Sequence, residues 1–178
     1  DGQAFDDPQI VSSRGHADAP KISADTQGNL HLVYGESPGG LFQRYRIRYA
    51  LRDARSGRFS DPKTITEAAA GVDSVNFPDL AVDAATRLFV AWQLFPDRGQ
   101  RPRGLGFTVS RNGGDTFAEP EVVPQSDNSD LGLTGSLQGS LMARLAVNAA
   151  GELALVSSTF AEGRSSHVGL WRRSAAER

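Results

Sequence analysis

The sequence predicts an all-β protein built from repeated four-stranded antiparallel units. Three observations carry this. One motif recurs three times, starting at Pro20, Pro78 and Ala143, so its copies lie 58 and 65 residues apart. The segments between turns alternate apolar and polar residues or run through Val, Ile, Leu, Phe and Tyr, and none shows a sustained 3.6-residue stripe with caps. The 19 glycines and 9 prolines are spread along the 178 residues, which favours many short strands over long helices.

Each element follows from that repeat. Segment a is KISA, DLAV or RLAV, beginning at Lys21, Asp79 and Arg144. A turn holding Asp25, Asp83 or Asn148 comes next, then segment b, LHLVY, LFVAW or LALVS, beginning at Leu30, Leu88 and Leu153. Segment c is the alternating run RIRYAL, LGFTVS or HVGLWR. Segment d is marked by Phe, two residues, then Pro, in AFDDPQIV, RFSDPKTI and TFAEPEVV, with phenylalanines Phe5, Phe59 and Phe117. The alanine-rich TEAAAGVD is too short for more than a helical turn. Four antiparallel strands in a repeat of roughly 50 residues is the signature of a β-propeller blade. The expected organisation is one propeller segment: residues 1–13 as strand d of a split blade, 19–66 and 77–124 as two whole blades, and 142–173 as strands a to c of the split blade. That makes about three blades' worth, half of a six-bladed ring.

Composition narrows the partners. The 19 Lys and Arg nearly balance the 21 Asp and Glu, so no basic excess argues for nucleic acid. Cysteine is absent, which removes disulfides and thiol chemistry. No run approaches the roughly 18 apolar residues of a membrane span. The first residue is Asp1 rather than Met, as expected of a processed product or an excised piece.

The turn SRNGGDTF, Ser110 to Phe117, is the joint between strands c and d of the second blade. Asn112 can accept backbone N–H bonds and close the turn, and Gly113 and Gly114 supply positive φ. The stretch resembles the Asp-box of the sialidase and BNR-repeat families, Ser-x-Asp-x-Gly-x-Thr-Trp. Ser110, Gly114 and Thr116 match, Asn112 stands for the Asp and Phe117 for the Trp. ALRDARSGRF in the first repeat is a degenerate version with two extra residues. The resemblance implies a propeller, a structural role for Ser110, Asn112, Gly114, Thr116 and Phe117 on the face away from the ligand, and a similar role for Asp115. What it implies for catalysis has no counterpart residue by residue. The family binds a carboxylate with three arginines, one in an Arg-Ile-Pro at a strand start, and APKIS, FPDLA and MARLA do not match it. The family's nucleophile is a tyrosine paired with a glutamate, but no motif assigns Tyr34, Tyr45 or Tyr49 to that role. No catalytic residue, metal or cofactor is expected.

Propeller connectivity puts the a–b and c–d turns on one rim and the longer b–c and d–a loops on the other, where ligands are expected. The candidates there are Arg14, His16 and Asp18 in SRGHADAP, and Arg103, with Arg98 and Arg101, in DRGQRPRG. An acid–base or anion-binding role competes with a solvated loop in both cases. Lys21, Asp79 and Arg144 hold equivalent positions at the start of strand a and are expected to ring the channel mouth, receiving an acidic ligand or pairing with one another. Trp92 and Tyr34, equivalent at the end of strand b, offer a face for a sugar or for core packing. SDNSDLG resembles a calcium loop only loosely, and His167 begins a strand c. The leading expectation is a non-catalytic sialidase-like module that binds a glycan, an acidic small ligand or a protein. The alternatives are a fragment of a sialidase-type glycoside hydrolase and a purely structural interaction domain. A periplasmic or secreted location is expected. So is a homodimer, or a second propeller segment that completes the ring.

Overall fold

The computed structural model describes residues 4–5, 7–12, 15–41, 43–66, 71–97, 101–128, 130, 133–134, 143–160 and 163–174. These residues hold twelve strands and no helix. The first sheet is β1(His16–Ala24), β2(Leu30–Ser37), β3(Arg46–Arg52) and β4(Lys63–Thr66), in sequence order and antiparallel throughout. The second repeats it with β5(Ser74–Val82), β6(Leu88–Phe95), β7(Leu105–Ser110) and β8(Glu121–Val122). The third has β10(Arg144–Val147), β11(Leu153–Phe160) and β12(His167–Arg173), with the short β9(Leu133–Thr134) paired to the far end of β11. The chain is a partial β-propeller of three blades.

The a–b turns show how closely sequence dictates the repeat. In each, the Asp or Asn amide donates to the carbonyl four residues on: Asp25 to Asn29, Asp83 to Arg87, Asn148 to Glu152. Its side-chain oxygen accepts the returning amide of the same residue, at 2.9, 2.8 and 2.9 Å. The residue that completes the turn has positive φ: Gly28 at 83°, Thr86 at 60° and Gly151 at 79°. Glycine adopts that region freely; a β-branched side chain does not.

The blades stack face to face. Val33, Ile47 and Tyr49 of the first sheet form one core with Val75, Leu80, Leu88, Val90, Trp92 and Leu94 of the second. Phe89, Ala91, Leu105, Phe107 and Val123 form the next with Ala143, Leu153 and Leu155 of the third. Alternate residues of β6 therefore serve opposite cores, and all but the last are buried. Each fully buried Leu, Val or Phe contributes about 1.5–3 kcal/mol, so this central strand anchors the stack. Strand β11 alternates strictly between buried and half-buried, because only one face is covered.

Strand a is longer than the apolar anchors suggest. In β1 the register steps from Asp18↔Gly35 to Lys21↔Val33, and in β5 from Asn76↔Gln93 to Asp79↔Ala91. One extra residue on the inner strand makes a β-bulge at the same level in both blades. Ala19 and Phe77 take φ of 48° and 54° there. Their amides are held by the preceding side chain, Asp18 Oδ1 at 2.7 Å and Asn76 Oδ1 at 2.8 Å. In the third blade β9 takes the place of the rim part of strand a, and the connection to β10 falls on residues 135–143.

Residues 7–12, expected as a strand d, carry no strand assignment. Phe5 is fully exposed and Ile10 is 83% exposed. The alanine-rich stretch falls largely on residues 67–70, outside the described residues.

Candidate ligand-binding rim

One rim carries the starts of β1, β3, β5 and β7 and the ends of β2 and β6. The first two blades are tied together there: Arg44 donates to Asp73 at 2.8 Å, and the Tyr45 amide donates to Ser74 Oγ at 2.9 Å. Gly35 lets Asn76 approach, since a Cβ at Gly35 would sit 1.9 Å from Asn76 Oδ1.

The other rim is built from the Ser110–Phe117 turn and the a–b turns. Ser110 Oγ donates to Asn112 Oδ1 at 3.0 Å and accepts the Gly114 amide at 2.9 Å. Asn112 Oδ1 also accepts the Thr116 amide at 3.0 Å, while its Nδ2 donates to Thr116 Oγ1 at 2.9 Å. The side chains of Ser110, Asn112 and Thr116 are thus engaged within the turn. The turn then locks onto the first blade. Tyr49 donates its hydroxyl to the Gly113 carbonyl at 3.2 Å, and Lys63 donates to the carbonyls of Gly114 and Asp115. Phe117 lies edge-on to Tyr49, with ring centroids 5.2 Å apart.

Behind Tyr49 is a buried chain of polar groups that sequence reading did not single out. His31 Nδ1 lies 2.8 Å from Tyr49 Oη and its Nε2 lies 3.4 Å from Asp25 Oδ2. Burial pushes the His31 imidazole below its ordinary pKa, partly opposed by Asp25, and pushes the Tyr49 phenol far up. Burial would raise the Asp25 carboxyl, but hydrogen bonds from Asn29, Gln27 and His31 bring it below its ordinary value. The chain is an Asp–His–Tyr relay sealed from solvent, and it links an a–b turn to the next blade's c–d turn.

The expected ligand residues are distributed as follows. His16 and Asp18 are exposed at the start of β1, with Asp18 shaping the bulge. Arg14 and Arg98 lie outside the described residues. Arg103 is half-buried just before β7, and its amide donates to the Leu94 carbonyl at 2.8 Å. Lys21 is half-buried, Arg144 exposed and Asp79 buried at matching positions on the three inner strands. Asp79 Oδ2 accepts the Leu145 amide at 2.8 Å, so this carboxylate staples the second blade to the third. Arg101 lies over the Phe160 ring at 6.0 Å, and His167 is exposed at the start of β12. Among the described residues no group of three or more His, Cys, Asp or Glu could hold a metal ion.

Trp92 is a correction to the sugar-stacking expectation. It is 1% exposed and its indole lies against Gly106, where a Cβ would come within 2.2 Å of Trp92 Nε1. No face of the ring remains for a ligand. Tyr34, its counterpart, is also buried, and burial raises its phenol pKa.

Sequence reading missed a second cluster beside Tyr34. Glu36 is buried at the end of β2, directly across the ladder from Arg46. Arg46 grips one oxygen, Glu36 Oε2, through Nε at 3.1 Å and an Nη at 2.7 Å. Arg48 Nε stands 3.4 Å from the same oxygen, and its other nitrogens donate to Thr64 Oγ1 at 2.6 Å and the Pro62 carbonyl at 2.5 Å. Two guanidinium groups therefore converge on a carboxylate supplied by the chain itself. The alternation Arg44, Arg46, Arg48 was visible in sequence; the strand register that sets Glu36 opposite was not.

No protein-family model matches the sequence, and no curated protein matches it as a relative. Solved structures do match its fold. A Hadza microbial sialidase superposes with a TM-score of 0.61 at 17% identity, over 88% of this chain and 35% of that one. A protein of unknown function from Dyadobacter fermentans DSM 18053 gives 0.66 at 15%, over 92% and 54%. An N-acetylgalactosamine deacetylase from F. plautii, solved with blood group B trisaccharide, gives 0.55 at 14%, over 98% and 55%. The chain spans between 35% and 55% of the length of these three.

Proposed function

We propose that this chain is a non-catalytic module of a carbohydrate-related propeller, and that it binds an acidic glycan on the rim where the inner strands begin. The observation that carries the reading is the matched placement of Lys21 and Arg144 on the first and third inner strands. The intervening Asp79 directs its Oδ2 to the Leu145 backbone amide rather than outward. Lys21 and Arg144 sit at the same ladder level, opposite Val33 and Val156, on the strands either side of Asp79, and a pair of cations so placed is what an anionic sugar needs. The solved structures of like fold include a sialidase and a protein bound to a trisaccharide, which supports a sugar over other anions. Against catalysis stands the use of Arg46 and Arg48: their convergence point is filled by Glu36. A periplasmic or secreted location belongs to the same reading.

A glycan array with sialylated, uronic and neutral sugars tests it, followed by calorimetry on any hit. Binding is expected to fall about tenfold or more for Lys21→Ala and Arg144→Ala, as for a lost charge-assisted hydrogen bond of roughly 1.4 kcal/mol. A blank array at high protein concentration sinks the glycan reading and favours a protein ligand. A second reading, that these blades belong to a sialidase-type hydrolase whose reacting groups lie on other blades, is favoured by the 35% share of the sialidase that the chain spans.

A further inference from the structure

The two inter-blade interfaces are built alike but finished differently. The first is closed on its outer side by Phe117, which packs on Tyr49 and lies under Lys63 Nζ, 5.7 Å from the ring centroid. The walls of that slot have fixed addresses. Tyr49 pairs with Lys63 across β3 and β4, and Ile65 follows two residues later. In the second interface the same addresses hold Phe107, paired with Glu121 across β7 and β8, and Val123. No phenylalanine fills the place of Phe117 among the described residues. A cavity of about 340 Å³ stands there, walled on the third blade by Leu155, Trp171 and Arg173. Arg173 spans its mouth, donating to Glu121 at 2.8 Å.

One segment of the chain matches the missing piece. Phe5 is followed by Pro8 and then Gln9, Ile10 and Val11, as Phe117 is followed by Pro120 and then Glu121, Val122 and Val123. Phe5 packs on nothing, and Ile10 is exposed. The third sheet lacks, among the described residues, the outer strand that β4 and β8 supply to the other two. Charge agrees as well: Asp6 and Asp7 follow Phe5, and both Arg172 and Arg173 line the cavity.

We propose that the cavity is the docking slot for Phe5 of a second copy of this chain, and that residues 8–11 of that copy add to β12 as its fourth strand. The exchange is reciprocal, so two copies seat two phenylalanines and complete two sheets. The free faces that meet in such a pair carry Ile22 on one blade and Val168 and Leu170 on the other, all more than half exposed in the single chain. This inference does not depend on the rim ligand.

The chain has no cysteine, so engineered pairs report cleanly. Phe5→Cys and Glu121→Cys variants, mixed under mild oxidation, are expected to give a covalent heterodimer about tenfold more than Phe5→Cys mixed with His16→Cys, whose exposed position lies on the opposite rim. Light scattering should show a dimer of the unmodified chain, and Phe5→Ala should weaken it about 30-fold, as loss of an aromatic anchor does. Phe5 is solvent-exposed in the single chain, so that variant keeps its circular dichroism. Equal cross-linking of the two pairs overturns the proposal. So does a folded monomer at about 100 µM, or an intrachain disulfide in the Phe5→Cys, Glu121→Cys double variant.

Discussion

Replacing Thr86 with glycine should stabilise this protein, although glycine ordinarily destabilises a fold. Thr86 sits at φ 60° in the second a–b turn, where the first and third repeats carry Gly28 and Gly151 at 83° and 79°. The left-handed conformation costs a residue with a Cβ about 1–2 kcal/mol. Glycine removes that strain but gives the unfolded chain extra freedom worth about 0.4–1 kcal/mol. The net expectation is a gain of about 0.5–1 kcal/mol, or a Tm increase of about 1–4 °C for a domain of this size. The amide of residue 86 still donates to the Asp83 carbonyl at 3.0 Å, so the turn itself is unchanged. The reciprocal experiment is Gly28→Ala. A Cβ at Gly28 meets only Ala54 Cβ, at an ordinary 3.6 Å, so any loss there reports backbone strain and not a clash. Urea unfolding at pH 7, with m-values compared, measures both. If Thr86→Gly lowers the midpoint while Gly28→Ala leaves it unchanged, the strain argument is wrong.

Acidification should weaken the protein through His31. Burial holds its folded-state pKa below the ordinary 6.5, so the unfolded chain binds more protons in the interval between the two values. Stability from this source is complete above about pH 6.5 and is lost as pH falls through the folded value. A His31→Gln variant should flatten the urea midpoint across pH 7 to 5; an unaltered slope would show that other groups carry it. Asn112→Ala should cost about 1–2 kcal/mol by removing the hydrogen bonds that close its turn, with rim binding unchanged because the turn lies at the other end. A loss of glycan affinity in that variant, at full folding, would place the ligand on the wrong rim.

The blade rhythm was legible because it rests on local chemistry: an Asp or Asn closing each a–b turn, a Phe and Pro announcing strand d, and alternation between them. The Ser110–Phe117 turn was legible for the same reason, since the side-chain bonds of Ser110 and Asn112 that close it are made within eight residues. Trp92 was misjudged because sequence shows that a strand ends near a rim but not how deeply the next blade covers it. Glycine at position 106, the residue that lets the indole lie flat, was in view without its meaning. Glu36 and its two arginines escaped notice because their meeting is a matter of register between β2 and β3. The relay from Asp25 through His31 to Tyr49 depends on folding across strands in the same way. Residues 4–12 match strand d in pattern, but the described residues among them have no ladder here, because a strand needs an edge to pair with as well as a suitable sequence.

The repeated bulge in strand a divides each inner strand into two independently phased parts. Val75 and Leu80 both face the first blade although five residues separate them, an odd spacing that an unbroken strand would send to opposite sides. The kink resets the parity of everything upstream. Single-residue insertions or deletions on the rim side of Asn76 or Asp18 can therefore be absorbed at a point already irregular, leaving Leu80 and Ile22 in phase with their sheets. In the third blade the ladder breaks at the same level, between the pairs Thr134↔Thr159 and Arg144↔Val156. A propeller jointed in this way can change its mouth, in length and in chemistry, without renegotiating the packing between its blades.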